Sequence, residues 1–191
     1  MRRDTIESLD MTGRLEIICG PMFAGKSTEL IRRLREARHA QLDVAVFKPE
    51  TDTRSGAASI RTHPGDRLDA LPLKSASRLI EAIPSADRGL VVGVDEAHFF
   101  GSELIAPVRE LLRRGNRVIL AGVERDHRGQ PFEPFPTLLC EADEVVKMAA
   151  VCGVCGGPAV HSQRLVRSDA AIVVGGAESY QARCRRCFEP G

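Results

Sequence analysis

Apolar residues recur along this chain in two alternating rhythms. Arg14 to Cys19 (RLEIIC), Asp43 to Phe47 (DVAVF), Leu90 to Val94 (LVVGV) and Arg117 to Val123 (RVILAGV) are short, nearly continuous apolar runs. Runs this short, without the polar alternation of a half-solvated strand, predict strands covered on both faces. Between them the period lengthens. In Ser27 to Ala40 (STELIRRLREARHA), Leu30, Ile31, Leu34 and Ala37 fall on one face, which predicts a helix; Ser75 to Ile83 and Ser102 to Arg114 read as two more. Strands alternating with helices predict an α/β fold, a parallel sheet with helices on both faces. Residues 49–68 mix Thr, Ser, Gly, Pro and Arg without a period and are expected to form a mobile loop. Residues 1–13 read as a polar leader and residues 14–148 as the α/β domain. From about residue 145 glycines, cysteines and short strand-like pieces take over, so residues 149–191 are expected to form a small metal-binding domain.

Composition narrows this picture. A chain of 191 residues, 43% hydrophobic and 28% charged, can bury a sizeable core without disulfides. A formal net charge of +1 supplies no field to gather nucleic acid. No apolar stretch follows Arg2 and Arg3, and no run approaches a membrane span, so neither secretion nor a membrane is expected and the cytoplasm is the expected location. Four of the six cysteines form two C-x-x-C pairs, a spacing that in a cytosolic chain favours a metal. Cys19 and Cys140 read as buried small apolar residues.

The chemistry concentrates in four places. Gly20 to Ser27 (GPMFAGKS) fits G-x-x-x-x-G-K-[ST] between a strand and a helix. Gly20, Pro21, Met22, Phe23, Ala24 and Gly25 would turn backbone N–H groups around phosphate oxygens. Lys26 would reach the β- and γ-phosphates of ATP, and the Ser27 hydroxyl would ligate Mg²⁺. The run LVVGVDE ends in Asp95 and Glu96, at the strand edge where open α/β sheets bind ligands. Asp95 is expected to hold Mg²⁺ and Glu96 to act as general base, with Ala97 and His98 beside them. Asp95 to His98 also spell a helicase motif, but a helicase core needs two such domains and this chain is long enough for one. Cys152, Cys155, Cys184 and Cys187 suit a closed tetrahedral Zn²⁺ site, hence a structural one. The excursion between the pairs contains AIVVGGAESY, Ala171 to Tyr180. A tethered lid and an ordinary ribbon hairpin fit that segment equally well. Arg54, Arg61, Arg125, Arg128, Arg164 and Arg167 are all expected in loops; spacing does not say which of them faces a transferring phosphoryl group.

Taken in order, GPMFAGKSTEL, DTR at Asp52 to Arg54, VDEAHFF, GQPF, VCGVC, VVGGAESY and CRRC resemble the type II (cellular-type) thymidine kinases, from about Gly13 to Phe188. The resemblance implies a P-loop α/β domain with a zinc ribbon, ATP and Mg²⁺, thymidine as first acceptor and deoxyuridine as second, and a homotetramer. It implies that Glu96 takes the proton of the nucleoside 5′-hydroxyl, with Lys26 and Arg54 beside it in catalysis. It places Ala171, Ile172, Val173, Val174, Gly175 and Tyr180 in a lasso over the base. Met22 and Val123 match positions around the base methyl group, Phe99 and Phe132 aromatic positions around the base. Three residues depart from the family pattern: His98 stands for Gln, Glu124 for Asp, and His127 for a Phe against the base. A zinc-ribbon P-loop ATPase acting on nucleic acid is the alternative. The near-zero net charge and the absence of aromatic–basic alternation count against it.

Overall fold

The computed structural model describes residues 13–52, 59–61, 67–84, 89–168, 170 and 172–190. Strand β1 (Arg14–Cys19) leads into helix α1 (Lys26–His39) and strand β2 (Val44–Pro49). Two short strands, β3 (Ser59–Arg61) and β4 (Arg67–Asp69), precede β5 (Leu71–Leu73), α2 (Ser77–Glu81) and β6 (Val91–Val94). A 3-10 helix (Ala97–Leu104) runs into α3 (Ile105–Arg113), followed by β7 (Arg117–Gly122), α4 (Phe135–Glu141) and β8 (Glu144–Lys147). Strands β9 (Ala150–Val151), β10 (Pro158–Ala159), β11 (His161–Arg164) and β12 (Tyr180–Arg183) form two antiparallel pairs, β9 with β10 and β11 with β12.

Six strands make one parallel sheet in the order β5-β2-β6-β7-β1-β8. Alternate strand residues point to opposite faces, and each face has its own core. On one, Leu15, Ile17, Val92, Val94, Val118 and Leu120 pack against Leu104, Val108, Leu111, Phe135 and Leu138. On the other, Ile18, Val91, Ile119 and Ala121 pack against Leu30, Ile31 and Leu34 of α1. A Cβ on Gly93 would lie 2.6 Å from the Leu34 side chain, so the glycine inside β6 makes room for Leu34 of α1. Glu16 interrupts the apolar run of β1 and is buried. Burial opposes its ionisation, but hydrogen bonds from Arg117 and Arg33 outweigh that and hold the carboxyl below its ordinary range. The pairs tie β1 to β7 and to α1.

The structure corrects several expectations. Within 49–68, residues 59–61 and 67–69 pair as strands, with Ile60 and Leu68 turned inward; a single inward residue per strand leaves no period to read. The helix expected over 102–114 starts as the 3-10 helix at Ala97, and non-helical Gly101 (φ 57°, ψ −155°) separates its two parts. Cys19 is buried, and burial first, then the charge of Glu124, pushes its thiol up to about 11. Cys140 is exposed instead, because α4 buries Phe135 and Leu138 and turns Cys140 to the other side. Arg164 ends strand β11, and Arg61 ends β3, rather than lying in loops. Among the described residues no helix is long and apolar enough to cross a membrane.

Candidate active site

The turn after β1 has the geometry of an anion cradle. Its backbone is left-handed at Gly20 (φ 147°), Phe23 (φ 67°) and Gly25 (φ 84°), and such alternation turns successive N–H groups into one concavity. A Cβ on Gly20 would lie 2.4 Å from the Met148 carbonyl oxygen, so only glycine fits there. Phe23 holds its conformation without that freedom, at a cost of about 1 kcal/mol or more. Gly25 caps α1 without a side chain, so no side-chain oxygen bonds the first N–H groups of the helix. These donors and the helix dipole suit a phosphate. Lys26 donates to the Pro21 carbonyl at 2.6 Å, across the loop. Ala24 packs away from the cradle, against Cys152, Ala159 and Ala182 of the cysteine-bearing hairpins.

Strand β6 delivers the acidic pair to the same sheet edge. The Ser27 hydroxyl is 3.0 and 2.9 Å from the two Asp95 oxygens. Asp95 is 5% exposed. Burial first, then the neighbouring charge of Glu96, pushes its carboxyl up to about 7. A carboxylate held at that cost beside a hydroxyl oxygen suits a hard divalent cation, so the residues present fit Mg²⁺. Asp52 is buried nearby and paired with Lys48 at 3.2 Å. Glu96 adopts a left-handed conformation (φ 49°, ψ 39°) at the start of the 3-10 helix. That strained turn takes its side chain out of line with the strand and into a cleft. His98 follows, with Nδ1 at 3.6 Å from a Glu96 oxygen and accepting a hydrogen bond from the Val123 N–H at 3.4 Å.

The cleft, of about 500 Å³ including space open to solvent, brings together nearly every expected acceptor residue. Met22 comes from the phosphate cradle, Glu96, His98 and Phe99 from the end of β6, and Val123, His127 and Phe132 from the segment after β7. Ile172, Val173, Val174 and Gly175, from the segment between β11 and β12, and Tyr180, at the start of β12, line it as well. The Tyr180 hydroxyl donates to the Val173 carbonyl at 2.9 Å, so the segment is bound to its own return strand. His127 sits in a loop that Asp126 organises by accepting from the N–H groups of Arg128 and Gln130 at 2.9 and 2.8 Å. Burial first, then the Arg164 charge, pulls the His127 imidazole below its ordinary value against the pull of Asp126. Glu124 is buried and paired with Lys147 at 3.1 Å. Arg54 and Ala171 lie outside the described residues.

Four lining residues were not singled out for the acceptor pocket: Arg125, Asp126, Ser162 and Arg164. Ser162 accepts a hydrogen bond from the Met22 N–H at 3.0 Å, joining the cradle to β11. Ser162 and Arg164 stand two apart on one strand, so the period of two in HSQR was the signal for them.

Cys152, Cys155, Cys184 and Cys187 form a second centre, their sulfur atoms all within 4.8 Å of one another. The Cys155 and Cys184 sulfurs are 3.6 Å apart. Four thiolates around Zn²⁺ at about 2.3 Å would stand about 3.8 Å apart, so the set fits a closed tetrahedral site. Backbone N–H groups of Cys155 and Cys184 hold the Cys152 thiol down to about 6, whereas the hydrogen bond with Cys184 pushes the Cys187 thiol up to about 12; a bound metal would take the place of the protons these crowded thiols share.

The sequence profile described as thymidine kinase matches residues 13–188. The chain is 45% identical over 178 residues to the thymidine kinase of Rhodothermus sp. (strain ITI 518), covering 93% of this chain and 82% of that one. It is 43% identical over 178 residues to the thymidine kinase of Bdellovibrio bacteriovorus, covering 93% and 86%. Among solved structures, a Thermotoga maritima RuvB Holliday junction branch migration motor superposes with a TM-score of 0.43 at 14% identity, over 71% of this chain and 38% of that one. That likeness is too slight to bear on function.

Proposed function

The chain belongs to the thymidine kinase family, and from that premise we propose that it transfers the γ-phosphate of ATP to the 5′-hydroxyl of thymidine, with deoxyuridine as a second acceptor. The observation that carries the reading is the cleft: one wall is the phosphate cradle through Met22, another is Glu96, and the rest is apolar and aromatic. A flat base with a methyl group suits Phe99, Val123, Phe132 and Tyr180. A hydroxyl at the Glu96 end lies between that base site and the cradle.

Each residue has a task in this reading. The backbone of residues 20–25 and the N-terminus of α1 hold the phosphates. Lys26 leaves the Pro21 carbonyl for the β- and γ-phosphates. Ser27 and Asp95 hold Mg²⁺, which when bound neutralises charge on the phosphates. Glu96 accepts the proton from the nucleoside hydroxyl, and its buried surroundings exclude competing water. Arg54 belongs to the same reading as a further cation for the transferring group. The four cysteines hold Zn²⁺ and so fasten the ends of the segment that carries residues 172–180. A homotetrameric, cytoplasmic enzyme completes the reading on family membership; sedimentation of the purified protein tests its assembly.

The test is a panel of nucleosides with labelled ATP and Mg²⁺. Thymidine 5′-monophosphate is the expected product. Labelling of another nucleoside without thymidine would overturn the acceptor and leave the kinase. ATP hydrolysis stimulated by single-stranded DNA, with no nucleoside labelled, would overturn both.

A further inference from the structure

We propose that Arg164 is the positioning residue of the acceptor pocket, holding the segment between β11 and β12 in the closed form that a base would contact. The inference rests on the nucleoside reading of the cleft for its ligand, but its geometry stands apart from it. Arg164 and Tyr180 face each other in the β11–β12 register, at the point where the segment leaves and returns. The Leu165 N–H donates to the Ser179 carbonyl at 2.8 Å and closes its base.

From that base the Arg164 side chain reaches back into the segment. One guanidinium nitrogen, Nη1, donates to the Ala170 carbonyl at 2.8 Å and lies 3.3 Å from the Ser168 carbonyl. The guanidinium carbon sits 5.9 Å from the centre of the Tyr180 ring, within cation–π range. Tyr180 in turn bonds the Val173 carbonyl through its hydroxyl. One arginine therefore joins the strand to the outgoing half of the segment and, through Tyr180, to the half that lines the cleft.

Apolar packing among the described residues of the segment is sparse. Of its large apolar side chains, Leu165, Val166, Ile172 and Val174 are exposed, and Val173 is half-buried against the cleft. Apolar burial thus contributes little to its order, and polar contacts decide whether it stays closed. A charged donor on two carbonyls is among the stronger such contacts. A lysine at this site offers a point charge without the planar fork, and so replaces the arginine only in part. The position of Arg164 also separates it from phosphoryl chemistry. It donates to the Ser168 and Ala170 carbonyls of the segment, whereas Lys26, Ser27 and Asp95 meet at the cradle.

The test compares the full-length protein with Arg164→Met, Arg164→Lys and Tyr180→Phe. Hydrogen exchange without nucleoside should speed up roughly tenfold or more at amides in 165–179 of Arg164→Met. Amides of β9 and β10 should exchange at the parent rate, which shows that the ribbon is intact. The KM for thymidine should rise roughly ten- to a hundredfold, with a much smaller change in kcat and in the KM for ATP. Arg164→Lys should fall between parent and Arg164→Met, and Tyr180→Phe should loosen residues 172–175 alone. Unchanged exchange in 165–179 would overturn the proposal, as would a fall in kcat with the thymidine KM unchanged. If the protein phosphorylates no nucleoside, the function above fails, and the exchange measurement still decides the role of Arg164. Should Arg164→Met not fold, Arg164→Lys and Tyr180→Phe carry the same two readouts.

Discussion

Replacing Asp95 by Asn should stabilise the protein in chelating buffer while abolishing its turnover. Asp95 is buried, the Ser27 hydroxyl donates to its carboxyl oxygens, and the Glu96 charge stands beside it. Its carboxyl is pushed from an ordinary 3.8 up to about 7. At about 1.4 kcal/mol for each tenfold change in a proton equilibrium, ionising Asp95 in the fold costs on the order of 4 kcal/mol. A folded-state value raised above the unfolded one means that the group's contribution is fully present below about pH 3.8. It is lost as pH climbs through about 7. An uncharged amide of the same shape escapes that loss. For a domain of this size 1 kcal/mol moves the melting temperature by roughly 2–4 °C, so Asp95→Asn should melt several degrees above the parent at pH 8. The gap should narrow steadily toward pH 5. Adding Mg²⁺ should raise the melting temperature of the parent and leave that of the variant nearly still. Scanning calorimetry with EDTA, then with Mg²⁺, at several pH values makes the measurement. A variant that melts at or below the parent throughout pH 5–8 would refute the reasoning, because the burial cost would then not exist.

The remaining expectations address the other parts of the site. Glu96→Gln keeps the shape of the left-handed turn and removes basicity, so kcat should fall roughly 10²–10⁴-fold with both substrates still bound; near-parent turnover would remove Glu96 from the base role. Fresh protein should contain one zinc per chain, and Cys184→Ser should lose it together with several degrees of melting temperature; elemental analysis without zinc would refute the four-cysteine site. Since burial and Arg164 lower the His127 imidazole, the thymidine KM should stay flat through pH 6.5 and rise only below it. His127→Phe should lower that KM and remove the acid rise, and an identical pH profile in the variant would place His127 away from the base.

What the sequence made legible follows physical rules that act locally. The strands β1, β2, β6 and β7 were readable because burial on both faces leaves short apolar runs with no polar alternation. The cradle was readable because a phosphate loop needs its glycines, lysine and serine at fixed offsets within a few residues. The two cysteine pairs were readable for the same reason. Elements whose burial is sparse were not. Helix α4 buries Phe135 and Leu138 alone, and β8 alternates half-buried and exposed residues between Glu144 and Lys147. Strands β3 and β4 each turn one apolar residue inward, too few to set a period.

The site divides along the same line. Met22, Glu96 and Tyr180 were readable from their motifs, but what joins them is long-range. Met22 bonds Ser162 across 140 positions of sequence, and nothing local in either residue announces the other. Arg164 illustrates the limit most clearly. Six arginines were equivalent as bearers of charge, and only the carbonyls of Ser168 and Ala170 distinguish this one. His98 poses the converse case. Its departure from the family's Gln was visible at once, but its meaning depends on partners that only the fold supplies. An amide both donates and accepts at adjacent atoms, whereas an imidazole that accepts from the Val123 N–H through Nδ1 has no proton on that nitrogen for Glu96.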